Sequence, residues 1–222
     1  MKVHFRRRIS RQKYSILYNS FVADIPARKA AGIASVNRKT VNRYFTLFRE
    51  VVLQEAYYER TNISLRNGVE IDESYFGARR VRGKRGRGAG RKVIVFGLLK
   101  RNGNVYTNII KSAEKQAVMP IIRRVVQSGS DIYSDGWRSY DALAVYGYNH
   151  KKIKHTKSEF AREDGTHING VESYWSWTKR RLAKFNGLTK EQFRKYMLES
   201  EWRFNHRNTL SIDLKKLLRK LR

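Results

Sequence analysis

No cysteine occurs anywhere in the 222 residues. That excludes disulfide bridges, thiol catalysis and cysteine-ligated zinc together. Histidine is scarce as well: His4, His150, His155, His167 and His206 include no tight His-x-His pair, the arrangement that an HUH-type nuclease requires. No stretch approaches the roughly 18 consecutive apolar residues of a membrane helix, and no signal-peptide core follows the basic start. Acidic residues are few, 19 against 48 lysines and arginines, which leaves a formal charge of +29.

What is present fits a folded nucleic-acid binder. A hydrophobic share of 41% and an aromatic share of 12% suit a globular protein with a packed core. A charge this large strains a compact fold through self-repulsion unless an anionic partner is commonly bound. Nucleic acid is the usual partner, because each neutralised phosphate releases condensed counterions. A structural RNA binder has the same composition, so charge alone does not separate the two. The absence of cysteine does not fix the compartment, although a cytoplasmic DNA-binding protein suits such a chain.

Apolar residues at Tyr14, Leu17, Tyr18, Phe21 and Val22 have helical spacing. Pro26 marks the start of a short second helix, Ala27 to Ala34. Ser35-Val36-Asn37 reads as a turn with an N-cap, before a third helix whose inner positions are Val41, Phe45, Phe48 and Val52. Three helices with a tight turn before the last predict a helix-turn-helix over residues 1–52. Arg38, Lys39, Thr40, Asn42 and Arg43 point away from the inner positions and are candidates for base and phosphate contacts. An ordinary helical bundle with a basic face is the plainer alternative.

Residues 53–68 read as a polar connector, after which the pattern changes to strands: Val69 to Ile71, Val93 to Leu99, Val105 to Ile110 and Ile132 to Ser134. Asn102-Gly103 is a hairpin signal. A helix from Glu114 to Val126, interrupted by Pro120, separates the third and fourth strands. The order is mixed α/β, as in a ribonuclease-H-like core over residues 69–208. A basic amphipathic tail, 209–222, carries Leu210, Leu214, Leu217, Leu218 and Leu221. Between the first two strands, residues 79–92 hold eight basic residues and four glycines. Arg79, Arg80, Arg82, Lys84, Arg85, Arg87, Arg91 and Lys92 are expected to grip a DNA backbone through phosphates.

With so few acids, the placement of each is informative. Asp72 and Asp135 directly follow β runs, and Glu172 opens a helix whose buried positions are Val171, Tyr174, Trp175, Thr178 and Leu182. The three are 63 and 37 residues apart. Two strand-end aspartates and a helical glutamate can converge to bind divalent metals, whose preference is for oxygen donors. A metal pair supports in-line phosphoryl transfer, which depends mainly on placed charge. Lys179, two helical turns after Glu172, shares its face. Arg180 and Arg181 extend that positive surface, and Asn169 is an N-cap or a neighbour of the metal site. Each acid alone has a duller reading: Asp135 before Gly136 suits a turn, and Glu172 suits a helix N-terminus.

Three segments, Ile71-Asp72-Glu73-Ser74-Tyr75-Phe76-Gly77, Ser134-Asp135-Gly136-Trp137-Arg138-Ser139-Tyr140 and His167-Ile168-Asn169-Gly170-Val171-Glu172-Ser173-Tyr174-Trp175, resemble those of bacterial insertion-sequence DDE transposases of the branch related to eukaryotic Merlin elements. The late Glu201-Trp202-Arg203-Phe204-Asn205 stretch extends the resemblance. It implies a ribonuclease-H-like catalytic core, Mg²⁺ dependence with Mn²⁺ as a substitute, and an acidic triad on Asp72, Asp135 and Glu172 with Lys179 as basic partner. Relatives vary at the third position, so Asn169 stays a rival to Glu172. The resemblance also implies double-stranded DNA as partner, at element ends and target, and a homo-oligomer that holds two ends together. A related nuclease that cleaves without joining, and a non-catalytic DNA binder from a decayed element, are the other readings.

Overall fold

The computed structural model describes residues 9–77, 92–135, 140, 142–153, 168–185 and 187–220. The basic residues Arg79, Arg80, Arg82, Lys84, Arg85, Arg87 and Arg91 lie outside them, as do His4, His155, His167 and Leu221. The chain forms two units, one from residues 62–197 and one from residues 1–61 together with 198–222.

The helical unit contains α1 (Arg11–Val22), α2 (Ala27–Ala34) and α3 (Arg38–Thr61). Ser10 opens α1, its Oγ accepting the Lys13 N–H at 3.3 Å. Ser35 ends α2 in the left-handed region, at φ 48°. Asn37 Oδ1 then accepts the Lys39 N–H at 2.8 Å, which starts α3 as the sequence suggests. Leu17, Phe21, Val41, Phe45, Phe48 and Val52 are all buried. Phe21 meets Phe45 and Phe48 edge-on, each at 5.4 Å between ring centroids. The expected connector begins later than its polarity implies, because α3 continues to Thr61 and buries Leu53 and Ala56.

The end of the chain completes this unit. Helix α6 (Lys190–Asn205) starts in the other unit and ends here, followed by α7 (Leu210–Arg219). Leu198, Trp202, Leu214 and Leu217 join the same core, so residues 198–219 are not an appendage to the sheet. The Glu201-Trp202-Arg203 motif is explained here. Arg203 donates to Glu199 at 2.9 Å and to the Phe21 carbonyl at 2.8 Å, closing the last turn of α1. Arg49 meets Glu199 at 2.7 Å, and Arg60 meets Glu201 at 2.9 Å. Buried charges cost desolvation, and full pairing is what makes them tolerable.

The second unit is a five-stranded sheet with strand order β3-β2-β1-β4-β5. Its strands are β1 (Val69–Phe76), β2 (Val93–Lys100), β3 (Val105–Ile110), β4 (Asp131–Asp135) and β5 (Asn149–Ile153). Strands β1, β2 and β3 are antiparallel neighbours, whereas β4 runs parallel to both β1 and β5. The hairpin falls at Asn102-Gly103 as expected, with Asn102 at φ 56°. Strand β1 runs five residues past Ile71, so Asp72 lies within the strand instead of ending it. β5 is a polar edge strand without apolar alternation, which is why no pattern announced it; its Lys151 and Lys152 discourage edge pairing. Helix α4 (Lys115–Val125) passes through Pro120 unbroken. Pro120 and Gln116, the residue whose carbonyl it leaves without an N–H, are both exposed.

Ile71, Phe96, Leu98 and Ile132 pack one sheet face against Val118, Ile122 and Val125 of α4. Helix α5 (Asn169–Leu182) covers the opposite face, with Val171, Tyr174, Trp175, Thr178 and Leu182 buried as its periodicity predicted. Among the described residues, no helix is long and apolar enough to cross a membrane.

Candidate active site

Side chains alternate across a strand, so Glu70, Asp72, Ser74 and Phe76 share one face of β1. It is the α5 face: Glu70 Oε2 accepts the Val171 N–H at 2.9 Å, and Asp72 Oδ2 accepts the Trp175 indole N–H at 3.1 Å. On the parallel neighbour, Val69 pairs with Ile132 and Glu70 with Tyr133. Two residues further along each strand, on that same face, come Asp72 and Asp135, the last residue of β4. Both aspartates are half-buried. Glu172 is exposed in the first turn of α5.

The electrostatics tie the three together. Burial pushes the Asp72 pKa up to about 7, and the negative charges of Glu73, Asp135 and Glu172 push the same way, against a hydrogen bond from the Glu73 backbone. Glu73 points to the α4 face, where the buried Tyr140 hydroxyl donates to it. Among the described residues, no three acidic or imidazole groups converge closely enough to hold a metal ion between them. The donor set still suits a hard cation: all of it is carboxylate oxygen, and its mutual repulsion is what a divalent ion would relieve.

The start of α5 corrects one expectation. Ile168, not Asn169, is the N-cap, and no side chain of that residue caps the helix. The buried Glu70 does the work from 101 residues away, placing a carboxylate on the Val171 N–H at the positive end of the helix. Arg101 supports it at 3.3 Å and stacks on Tyr133 at 3.6 Å from the ring centroid. Gly170 is there because of Glu70: a Cβ at that position would stand 2.8 Å from Glu70 Oε2. Gly97 plays the same part for Trp175, whose Cζ2 would lie 2.5 Å from an added Cβ. Sequence reasoning missed Glu70, Gly97 and Gly170. The one signal was the two-residue spacing that puts Glu70 on the Asp72 face.

Asn169 is exposed in the first turn of α5. Lys179 is exposed as well, with Nζ 5.7 Å from the centre of the Phe76 ring. Arg180 faces solvent, but Arg181 does not extend that surface. It is 6% exposed, donates to the Tyr196 carbonyl at 3.3 Å and lies over the Phe185 ring, because its helix position is on the buried side. Lys92 is half-buried just before β2. In the helical unit, Arg38, Lys39, Asn42 and Arg43 are exposed and Thr40 is partly so.

Residues 64–205 match the model of the ISXO2-like transposase domain. An uncharacterized transposase-like protein of Haemophilus influenzae is 43% identical over 102 residues, covering 46% of this chain and 81% of that protein. Among solved structures, the Mos1 strand transfer complex aligns with a TM-score of 0.39 at 14% identity, over all of this chain and 81% of that one. A chain of the simian T-cell lymphotropic virus intasome in complex with PP2A regulatory subunit B56 gamma aligns at 0.41 and 12% identity, over 65% of this chain; this chain spans half the length of that one. Structural likenesses this distant carry no functional weight. The sequence matches do, and they place the chain in the family of ISXO2-like transposase domains.

Proposed function

We propose that this chain is a DDE transposase that binds the terminal inverted repeats of an insertion sequence and cuts and rejoins DNA at them. Its sheet unit is the ribonuclease-H-like core, of the branch related to Merlin elements. The observation that carries the reading is that Asp72 and Asp135 lie two residues beyond the β1–β4 pairs, on the face covered by α5, with the charges of Asp135 and Glu172 acting on the Asp72 carboxyl. Asp72, Asp135 and Glu172 are the residues to hold Mg²⁺, or Mn²⁺ in its place, with Asn169 the rival to Glu172. When bound, such ions polarise phosphate oxygens and lower the pKa of bound water.

The chain's own part is positioning and charge. Lys179, and Arg180 beside it, offer cations for the phosphates of a bound DNA end. Hydrolysis of a phosphodiester at the element end releases a 3′ hydroxyl. That hydroxyl then attacks a target phosphodiester and displaces its 3′ oxygen, forming one bond as the other breaks. Arg38, Lys39, Thr40, Asn42 and Arg43 read the terminal repeat as part of a helix-turn-helix, and Lys92 belongs to the basic segment that grips the backbone. Two ends held together require a homo-oligomer on the DNA, acting at the bacterial nucleoid.

The test uses the full chain, Mg²⁺ and duplexes carrying the element ends. Asp72→Ala and Asp135→Ala abolish cleavage and strand transfer and leave DNA binding within about twofold. A variant that retains cleavage sinks the assignment. A parent chain that cleaves but never joins a pre-cut 3′ hydroxyl end is a nuclease instead.

A further inference from the structure

Asp72 and Trp175 form a contact that crosses from strand to helix. Trp175 is 4% exposed, its indole N–H donates to Asp72 Oδ2 at 3.1 Å, and its ring lies against the bare backbone of Gly97, the residue paired with Asp72 across β2. Phe76 meets the same ring edge-on at 6.0 Å. The rotamer of the indole is therefore closed in on several sides. Two hydrogen bonds, two residues apart on one face of β1, hold the first two turns of α5: Glu70 to Val171 and Asp72 to Trp175. Glu172 sits between those two anchor points, three residues before Trp175. An indole N–H donates only, so it fixes one oxygen of the Asp72 carboxylate as an acceptor.

We propose that Trp175 is a positioning residue: it aims the Asp72 carboxylate at the divalent cation and sets the offset between strand-borne Asp72 and helix-borne Glu172. The proposal rests on the metal-binding reading given above. Outer groups that orient a ligand typically contribute 10- to 100-fold in metal affinity.

Mn²⁺ titration of the full chain, followed by the electron paramagnetic resonance of free Mn²⁺, tests it. Trp175→Phe keeps an aromatic side chain at this position and removes the donor together with the ring atoms that lie over Gly97. Its Mn²⁺ dissociation constant rises about tenfold, while its thermal midpoint without metal stays within a few degrees of the parent. Equal Mn²⁺ affinity in parent and folded Trp175→Phe overturns the positioning role alone. A parent that binds no Mn²⁺, or binds it equally after Asp72→Ala, overturns the metal reading and the positioning role with it. A second measurement needs no tryptophan variant. With ¹⁵N in the four tryptophans, saturating Mg²⁺ moves the indole N–H signal that Asp72→Asn also moves. Indole signals that all stay fixed through a saturating titration overturn the proposal.

Discussion

Asp72 keeps its proton over a pH range in which an aspartate in water has lost it. Its folded-state pKa, about 7, lies above the ordinary 3.8 because burial and then the neighbouring carboxylates penalise its charge. Below about pH 4 the group is neutral both folded and unfolded, and it contributes nothing. Between 4 and 7 the folded chain keeps a proton that the unfolded chain has lost, so stability falls as pH rises through that window. Above 7 the penalty is complete. Asp72→Asn removes the charge and retains an oxygen for the Trp175 N–H. Without metal, it is expected to be more stable than the parent at pH 8, by something on the order of 2–4 kcal/mol, with the two converging near pH 4. Thermal unfolding at both pH values checks it, and equal midpoints at pH 8 refute it. Asp72 and Asp135 were legible in the sequence because each follows a β run in an acid-poor chain. The hydrogen-bond donor that holds Asp72 was not, since Trp175 lies 103 residues away and read only as one more buried position of α5.

Helix α5 shows what periodicity reveals and what it hides. Its buried positions follow from apolar spacing alone, but its first turn depends on a carboxylate from β1. Gly170→Ala is a sensitive probe, because the added methyl meets Glu70 Oε2 at 2.8 Å and Leu99 at 3.1 Å. In an exposed helix this change is stabilising by up to about 1 kcal/mol. Here the collision reverses the sign, and a loss of about 1–3 kcal/mol is expected in denaturant titration. A stabilised Gly170→Ala chain removes the claim that Glu70 caps α5. The other misreadings have the same origin. Strand β5 was hidden because four of its five residues are polar and do not alternate with apolar ones, and α3 outran its expected end because its later turns, though mostly polar, still bury Leu53 and Ala56.

The net charge of +29 is spread over surfaces that do different jobs, and burial separates them. Arg180 and Arg181 are adjacent in sequence, yet one is exposed and the other is 6% exposed. If Arg180 meets a DNA phosphate, Arg180→Ala reduces the slope of log K against log salt by about 1, whereas Arg181→Ala leaves the slope unchanged and lowers the thermal midpoint. Identical slope changes in both variants contradict the division. Sequence charge announced a polyanion partner, but it could not say which cations fold inward.

Because residues 1–61 share one core with residues 198–222, the helical unit is a discontinuous domain, with the sheet unit inserted between its halves. On the ribosome, the first three helices wait unfinished while some 136 intervening residues are made, and Leu214 and Leu217 arrive only after them. A premature stop codon after the sheet unit, past Met197, therefore spares every carboxylate of the candidate site and still leaves the amino-terminal helices without part of their interior.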